Sequence, residues 1–322
     1  MRNKRATSIC VLLAIGALLT GAQVGAKDFT DWTPAVSVET VPGTDPSFNT
    51  VFQDGCPAPS KDGLTIYMAS NRPGGQGGLD IWAASRESAD DPFGPPMNLG
   101  APINTAADEF CPTPLTNGHG LLFVSTKAGG CGGADIYFAR YHPERGWEQP
   151  VNLGCEVNSA ADEASPFIVD NEDGSLSLYF SSTRAGGYAP DAPGAIVGDS
   201  DIYVTSISAE GTIGTPVLVD GVNTAAQDAR PNVRRDGLEI FFDSNRTGGV
   251  GGFDIWSATR ESTSDAWSVP ENAGPQVNSV ANETRPFLSW GATTLYFGTT
   301  RVGVEGAADI YMTTRAKQTG AR

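Results

Sequence analysis

The sequence predicts an all-β fold, a five-bladed β-propeller with four-stranded blades whose ring is closed by the chain's own N-terminal strand. Three observations predict it. A block of about 55 residues recurs five times, which is the signature of a repeat architecture. Each copy carries β-branched and aromatic runs such as LTIYMAS, LSLYFSS and LEIFFDS that alternate with the period of a sheet. A fixed connector also recurs, an Asn followed five positions later by an acid: Asn104 to Glu109, Asn158 to Glu163, Asn223 to Asp228 and Asn278 to Glu283. The fifth instance, Asn49 to Asp54, stands ahead of the first complete copy.

Each copy divides into four short strands. The first is a segment led by Pro57, Pro112, Pro166, Pro231 or Pro286, and it ends in a turn such as Lys61-Asp62-Gly63 or Arg235-Asp236-Gly237. Glycine supplies the positive φ that such a turn needs. The second strand is the alternating run. A glycine loop then leads into the third strand, as in SNRPGGQGGLDIW from Ser70, STKAGGCGGADIY from Ser125, SNRTGGVGGFDIW from Ser244 and TTRVGVEGAADIY from Thr299. The third copy, STRAGGY followed by GDSDIY, carries nine additional residues between its halves, within the loop from Tyr188 to Asp199. Segments such as WEQPVNLG from Trp147 and WSVPENAG from Trp267 form the outer strand. Four strands per copy around a ring is the propeller pattern. The last copy stops after its third strand near Arg315, so the stretch from Trp32 to Val38 supplies the missing outer strand and leaves no open edge.

The combination of DG turn, S-x-R, GGxGG and DIY resembles the TolB-type, WD40-like propeller repeats of bacterial envelope proteins. The resemblance covers nearly all of the chain beyond the leader, and it implies a propeller in the cell envelope. It differs from TolB itself in having five blades and no room for a separate N-terminal domain.

Residues 1–26 read as a secretory signal peptide: Arg2, Lys4 and Arg5 precede an apolar run from Ile9 to Leu19 and a small-residue end at Val24-Gly25-Ala26. Residues 27–322 then form the single propeller domain, and the expected location is periplasmic or secreted. Cleavage moves the formal charge from −16 to −19. Such an acidic chain repels phosphates and anionic lipid, which argues against nucleic acid and membrane-surface partners, and no stretch after the leader approaches the ~20 apolar residues that membrane insertion needs. A monomer is expected. Four cysteines remain, an even number that in an exported chain points to disulfides. Of the three connectivities, Cys131 with Cys155 is favoured, within one blade, leaving Cys56 with Cys111 at equivalent sites of adjacent blades.

Chain direction places the glycine loops and the connectors on one rim. There lie five acids (Asp54, Glu109, Glu163, Asp228, Glu283), five bases (Arg72, Lys127, Arg184, Arg246, Arg301) and the aspartates of DIY or DIW (Asp80, Asp135, Asp201, Asp254, Asp309). Five near-identical copies suit blade joints better than one ligand. Positions that break the repeat are more informative. Before the five prolines stand Cys56, Cys111, Ser165, Arg230 and Arg285, and two arginines on adjacent blades suit a carboxylate or sulfate at the channel mouth, or balance the acids. Tyr188 begins the inserted loop. Candidate ligand contacts are therefore Glu109, Glu163, Asp228, Glu283, Arg230, Arg285 and Tyr188.

Both histidines, His119 and His142, fall in turns on the opposite rim, which argues against a Ser-His-Asp mechanism and against a histidine-bound zinc site. No cofactor is expected; clustered carboxylates leave structural calcium open. The expected function is a non-catalytic envelope scaffold recognising a protein or a glycan through the glycine-loop face, with Phe110, Tyr188 and Phe253 as aromatics for a sugar. The alternative is a carboxylate-based glycoside hydrolase or a lectin with its site at the central channel mouth.

Overall fold

The computed structural model describes residues 29–188 and 199–318. The expected leader, most of the inserted loop and the last four residues lie outside the described residues. Five antiparallel sheets make the five blades. The innermost strands are Asp54–Pro59, Glu109–Pro114, Glu163–Asp170, Asp228–Val233 and Glu283–Leu288. Second strands such as Thr65–Ser70 and third strands such as Asp80–Ser85 follow in order outward, and two-residue outer strands such as Met97–Asn98 complete each sheet.

Alternation of side chains buries both faces of the second strand, because each blade packs face to face with its neighbours. On one face Ile66, Met68, Leu121, Phe123, Leu178, Phe180, Ile240, Phe242, Leu295 and Phe297 are all fully buried. Their opposite neighbours Leu122, Tyr179, Phe241 and Tyr296 are buried as well. Each such side chain contributes roughly 1.5–3 kcal/mol on burial, so the stability of the ring resides between the blades.

Closure follows the predicted route. Val36 and Ser37 pair with Met312 and Tyr311 on the third strand of blade 5, taking the place of its missing outer strand. Asn49 then clasps Ile310, accepting from its N–H at 2.8 Å and donating to its carbonyl at 3.3 Å. Asn104, Asn158 and Asn278 do the same to Ile81, Ile136 and Ile255, so the closing joint is made like those within the ring.

Candidate functional site

The charged rings are joints. The carboxylates of Asp54, Glu109, Glu163, Asp228 and Glu283 are fully buried. Each accepts the N–H and the hydroxyl of the Thr or Ser just after the connector Asn; Glu163, for example, takes both from Ser159 at 2.6 Å. Four of the five are ion-paired to the base of their own blade: Asp54 to Arg72, Glu163 to Arg184 at 3.1 Å, Asp228 to Arg246 and Glu283 to Arg301 at 3.1 Å. Blade 2 departs from this, because Lys127 sits 3.9 Å over the Tyr137 ring instead, and burial lowers its pKa against the pull of Glu109. The bases also reach back to the connector, as Arg246 does to the Val222 carbonyl at 2.7 Å.

The DIY aspartates do not meet these bases. Asp135 accepts from the N–H groups of Cys131 and Gly132 and from Asn152, and Asp254 is held likewise by Val250, Gly251 and Asn272, so each folds its own glycine loop. Packing explains the glycines. A Cβ on Gly251 would lie 2.1 Å from the Ala281 carbonyl oxygen of the next blade's connector, and one on Gly77 1.9 Å from that of Ala107. Glu109, Glu163, Asp228 and Glu283, expected as ligand contacts at the mouth, lie buried in these joints.

Where the inner strands start, each carries a bulge that puts the residue before proline in the left-handed region: Cys56, Cys111, Ser165, Arg230 and Arg285 have φ between 47° and 58°. Non-glycine residues occupy this region at a cost, and several together mark a constrained site. They ring a cavity of about 30 Å3. Arg230 pairs with the fully buried Asp243 at 2.7 Å, and the Arg285 N–H donates to the same carboxylate at 3.3 Å. Burial raises the pKa of Asp243, and the two arginines oppose that rise. The arginines are thus balanced by Asp243 and not by the acid ring. Cys131 and Cys155 are bridged as expected. The other pairing is corrected: Cys56 and Cys111 are buried free thiols.

Below this cavity the channel is filled. Phe167 of blade 3 and Phe287 of blade 5 meet edge to face with centroids 5.6 Å apart, next to buried Ala58 and Val233. On the opposite rim a crevice of about 1400 Å3 lies between the turns of blades 3, 4 and 5. Asp170, Glu172 and Asp173 line it from blade 3, Asp236 and Glu261 from blade 4, and Trp290 from blade 5. Asp173 is held below its ordinary pKa by the hydroxyl and N–H of Ser175, and Asp236 is gripped by Arg234 Nε at 2.8 Å. The Trp290 indole N–H is buried without a partner, while Arg235 lies 5.8 Å from its ring.

No family model and no curated protein match this chain. The fold is similar to that of a thermostable family-43 glycoside hydrolase at 16% identity and a TM-score of 0.58, covering 87% of this chain and 99% of that one. An α-L-arabinofuranosidase from Lactobacillus brevis is similar at 12% identity and 0.55, over 87% of this chain and 94% of its own. A putative TolB from Agrobacterium tumefaciens follows at 13% identity and 0.48, over 91% and 99%. Identities this low show a shared propeller fold. The expectation of a non-catalytic scaffold reading its partner through the glycine loops is corrected here. Arabinofuranosidases and arabinanases predominate among the similar structures, and the glycine loops are spent on packing against the next blade.

Two features were missed from sequence. Asp243 stands where the other second strands carry Ala69, Val124, Ser181 and Gly298, so its charge was a visible break in the repeat. The crevice was not visible, because it is assembled from turns of three blades that share no motif. Tyr188 is exposed, and its N–H donates to Asp201 at 2.7 Å. His119 is exposed in its turn, and His142 accepts from the Glu144 N–H at 3.3 Å.

Proposed function

We propose that the protein acts on glycans as a glycoside hydrolase, with its substrate in the crevice opposite the glycine loops. The observation that carries this reading is Trp290. An indole lining a crevice of about 1400 Å3 offers a sugar a stacking surface. Asp170 and Glu172 on one side and Glu261 on another supply carboxyl groups from different blades. Glycoside hydrolysis requires two, one as acid and one as base or nucleophile. A sugar seated against Trp290 would exclude water from the carboxyl it covers and leave the other in water, the unlike environments that the two roles need. The similarity to α-L-arabinofuranosidases makes arabinose-bearing polysaccharides the first substrates to try. Export to the periplasm or the medium would bring the protein to such polymers.

Incubation with arabinan, arabinoxylan and a wider polysaccharide panel is the assay. Released sugar is expected to fall by roughly 100-fold or more in Asp170→Asn or Glu172→Gln, the scale of a lost general acid or base. No release from any polymer sinks the hydrolase reading. One observation favours binding without hydrolysis: Asp173 and Asp236, two of the five crevice carboxylates, are already tied to Ser175 and Arg234. In that case the panel shows retention on a polysaccharide without product, and Trp290→Ala abolishes the retention.

A further inference from the structure

We propose that Cys111 and Cys56 form a peroxide-reactive dithiol at the glycine-loop mouth, in which Cys111 attacks a small hydroperoxide and Cys56 resolves the product to a disulfide. The site shares no lining residue with the crevice, so it stands apart from the glycan reading. Both cysteines sit on left-handed bulges of adjacent inner strands, at φ 50° and 47°, and line the same cavity. The Ser165 hydroxyl donates to Cys111 Sγ at 3.2 Å. Burial would push the Cys111 thiol up, but a hydrogen bond with Cys56, the Arg285 charge, Ser165 and Arg230 outweigh it and bring it down. Cys56 moves the other way, raised by burial and by Cys111. The Ser165 hydroxyl bonds Cys111 alone of the two, and a sulfur so favoured as thiolate beside a protonated one is the pairing that attack and resolution require.

Two donors at the cavity stand idle. Arg285 Nε and Asn232 Nδ2 are buried without partners, and both residues line the cavity. They suit the negative charge that develops on a departing oxygen. Asp243, engaged with Arg230, is the acid beside them. Size selects the oxidant: about 30 Å3 holds roughly two water-sized groups, which admits hydrogen peroxide and excludes a tripeptide disulfide. In the first step the Cys111 thiolate takes one oxygen, the O–O bond breaks, and the leaving hydroxide takes a proton to become water. The Cys56 thiol then attacks the sulfenic acid, the S–S bond forms, and a second water leaves.

The test treats the reduced full-length protein with hydrogen peroxide and maps its peptides. A Cys56–Cys111 disulfide is expected, and Cys56→Ser should stop at a sulfenic acid, read as one added oxygen on the Cys111 peptide. Cys111→Ser should leave Cys56 without added oxygen. In the unsubstituted protein at pH 7, hydrogen peroxide should form the disulfide at least about tenfold faster than glutathione disulfide does, a readout independent of how the variants fold. Equal rates with the two oxidants, oxygen added at Cys56 in Cys111→Ser, or both thiols intact after peroxide overturns the proposal.

Discussion

Asn278 holds both backbone groups of Ile255 with its side-chain amide and also donates to Asn272 at 2.9 Å, so a single residue joins the fourth blade to the connector of the fifth. Removing it leaves a buried N–H and a buried carbonyl unpaired, at about 1–3 kcal/mol for each orphaned group. Asn278→Ala is therefore expected to lower the denaturant midpoint by the equivalent of about 3 kcal/mol, and urea unfolding checks it. Arg246→Ala should cost a similar amount, about 3 kcal/mol, because Asp228 remains fully buried after its ionic partner has gone. These joints were legible in the sequence because every blade needs one, so the residues recur at fixed spacing. What repetition could not reveal was partner choice. The DIY aspartates repeat as faithfully as the acids after the connectors, yet they bind loop amides while the acids take the bases. Both arrangements satisfy the same spacing, and only the fold of the glycine loop separates them.

Among the elements, the closing strand is the shortest piece with the widest effect. Val36 and Ser37 form two ladder pairs, yet the same segment places Trp32 and Phe29 against Arg315 at 4.5 and 4.0 Å. Arg315 in turn grips Glu239 of blade 4 with both terminal nitrogens, at 2.7 and 2.6 Å. Arg315→Ala should thus loosen the N-terminal strand together with the fifth blade, read as faster amide exchange on Tyr311 and Met312 than on the third strand of blade 2. Closure by the N-terminus was foreseeable because a strand was missing at one end and surplus at the other. The Arg315 latch was not, since Arg86 and Arg260 fill the same slot and bond turn carbonyls as Arg315 does, while its partner Glu239 occurs once. The glycine loops carry a second expectation. Gly251→Ala drives a Cβ into the Ala281 carbonyl, a backbone atom that cannot swing away, so it should destabilise more than the same change at Gly274, whose Cβ would meet nothing within 4 Å. The positive φ of Gly274 still adds a strain of roughly 1 kcal/mol to that control. Thermal melts of the two variants decide it.

At the scale of the whole molecule, charge and burial act together on pH dependence. The chain carries a formal charge of −16, and acids at several joints are pushed up. Asp201 is raised to about 6, mainly by burial and then by Asp199 and Asp228, with the Tyr188 N–H opposing. Asp309 and Glu39 are raised as well, burial again leading. A carboxyl whose folded pKa exceeds its unfolded value binds its proton more tightly in the native state, so stability grows as pH falls through the folded pKa toward the unfolded one. For Asp201 that window runs from about 6 down to its ordinary value of 3.8. Easing of self-repulsion among the surplus acids works in the same direction. The melting temperature should therefore rise between pH 7 and pH 5. Asp201→Asn separates the two contributions, because its amide oxygen still accepts from Tyr188 while the proton linkage is gone. In that variant the melting temperature at pH 7 should increase, and the gain on acidification should shrink by on the order of 1 kcal/mol. An unchanged slope would assign the whole pH effect to net charge.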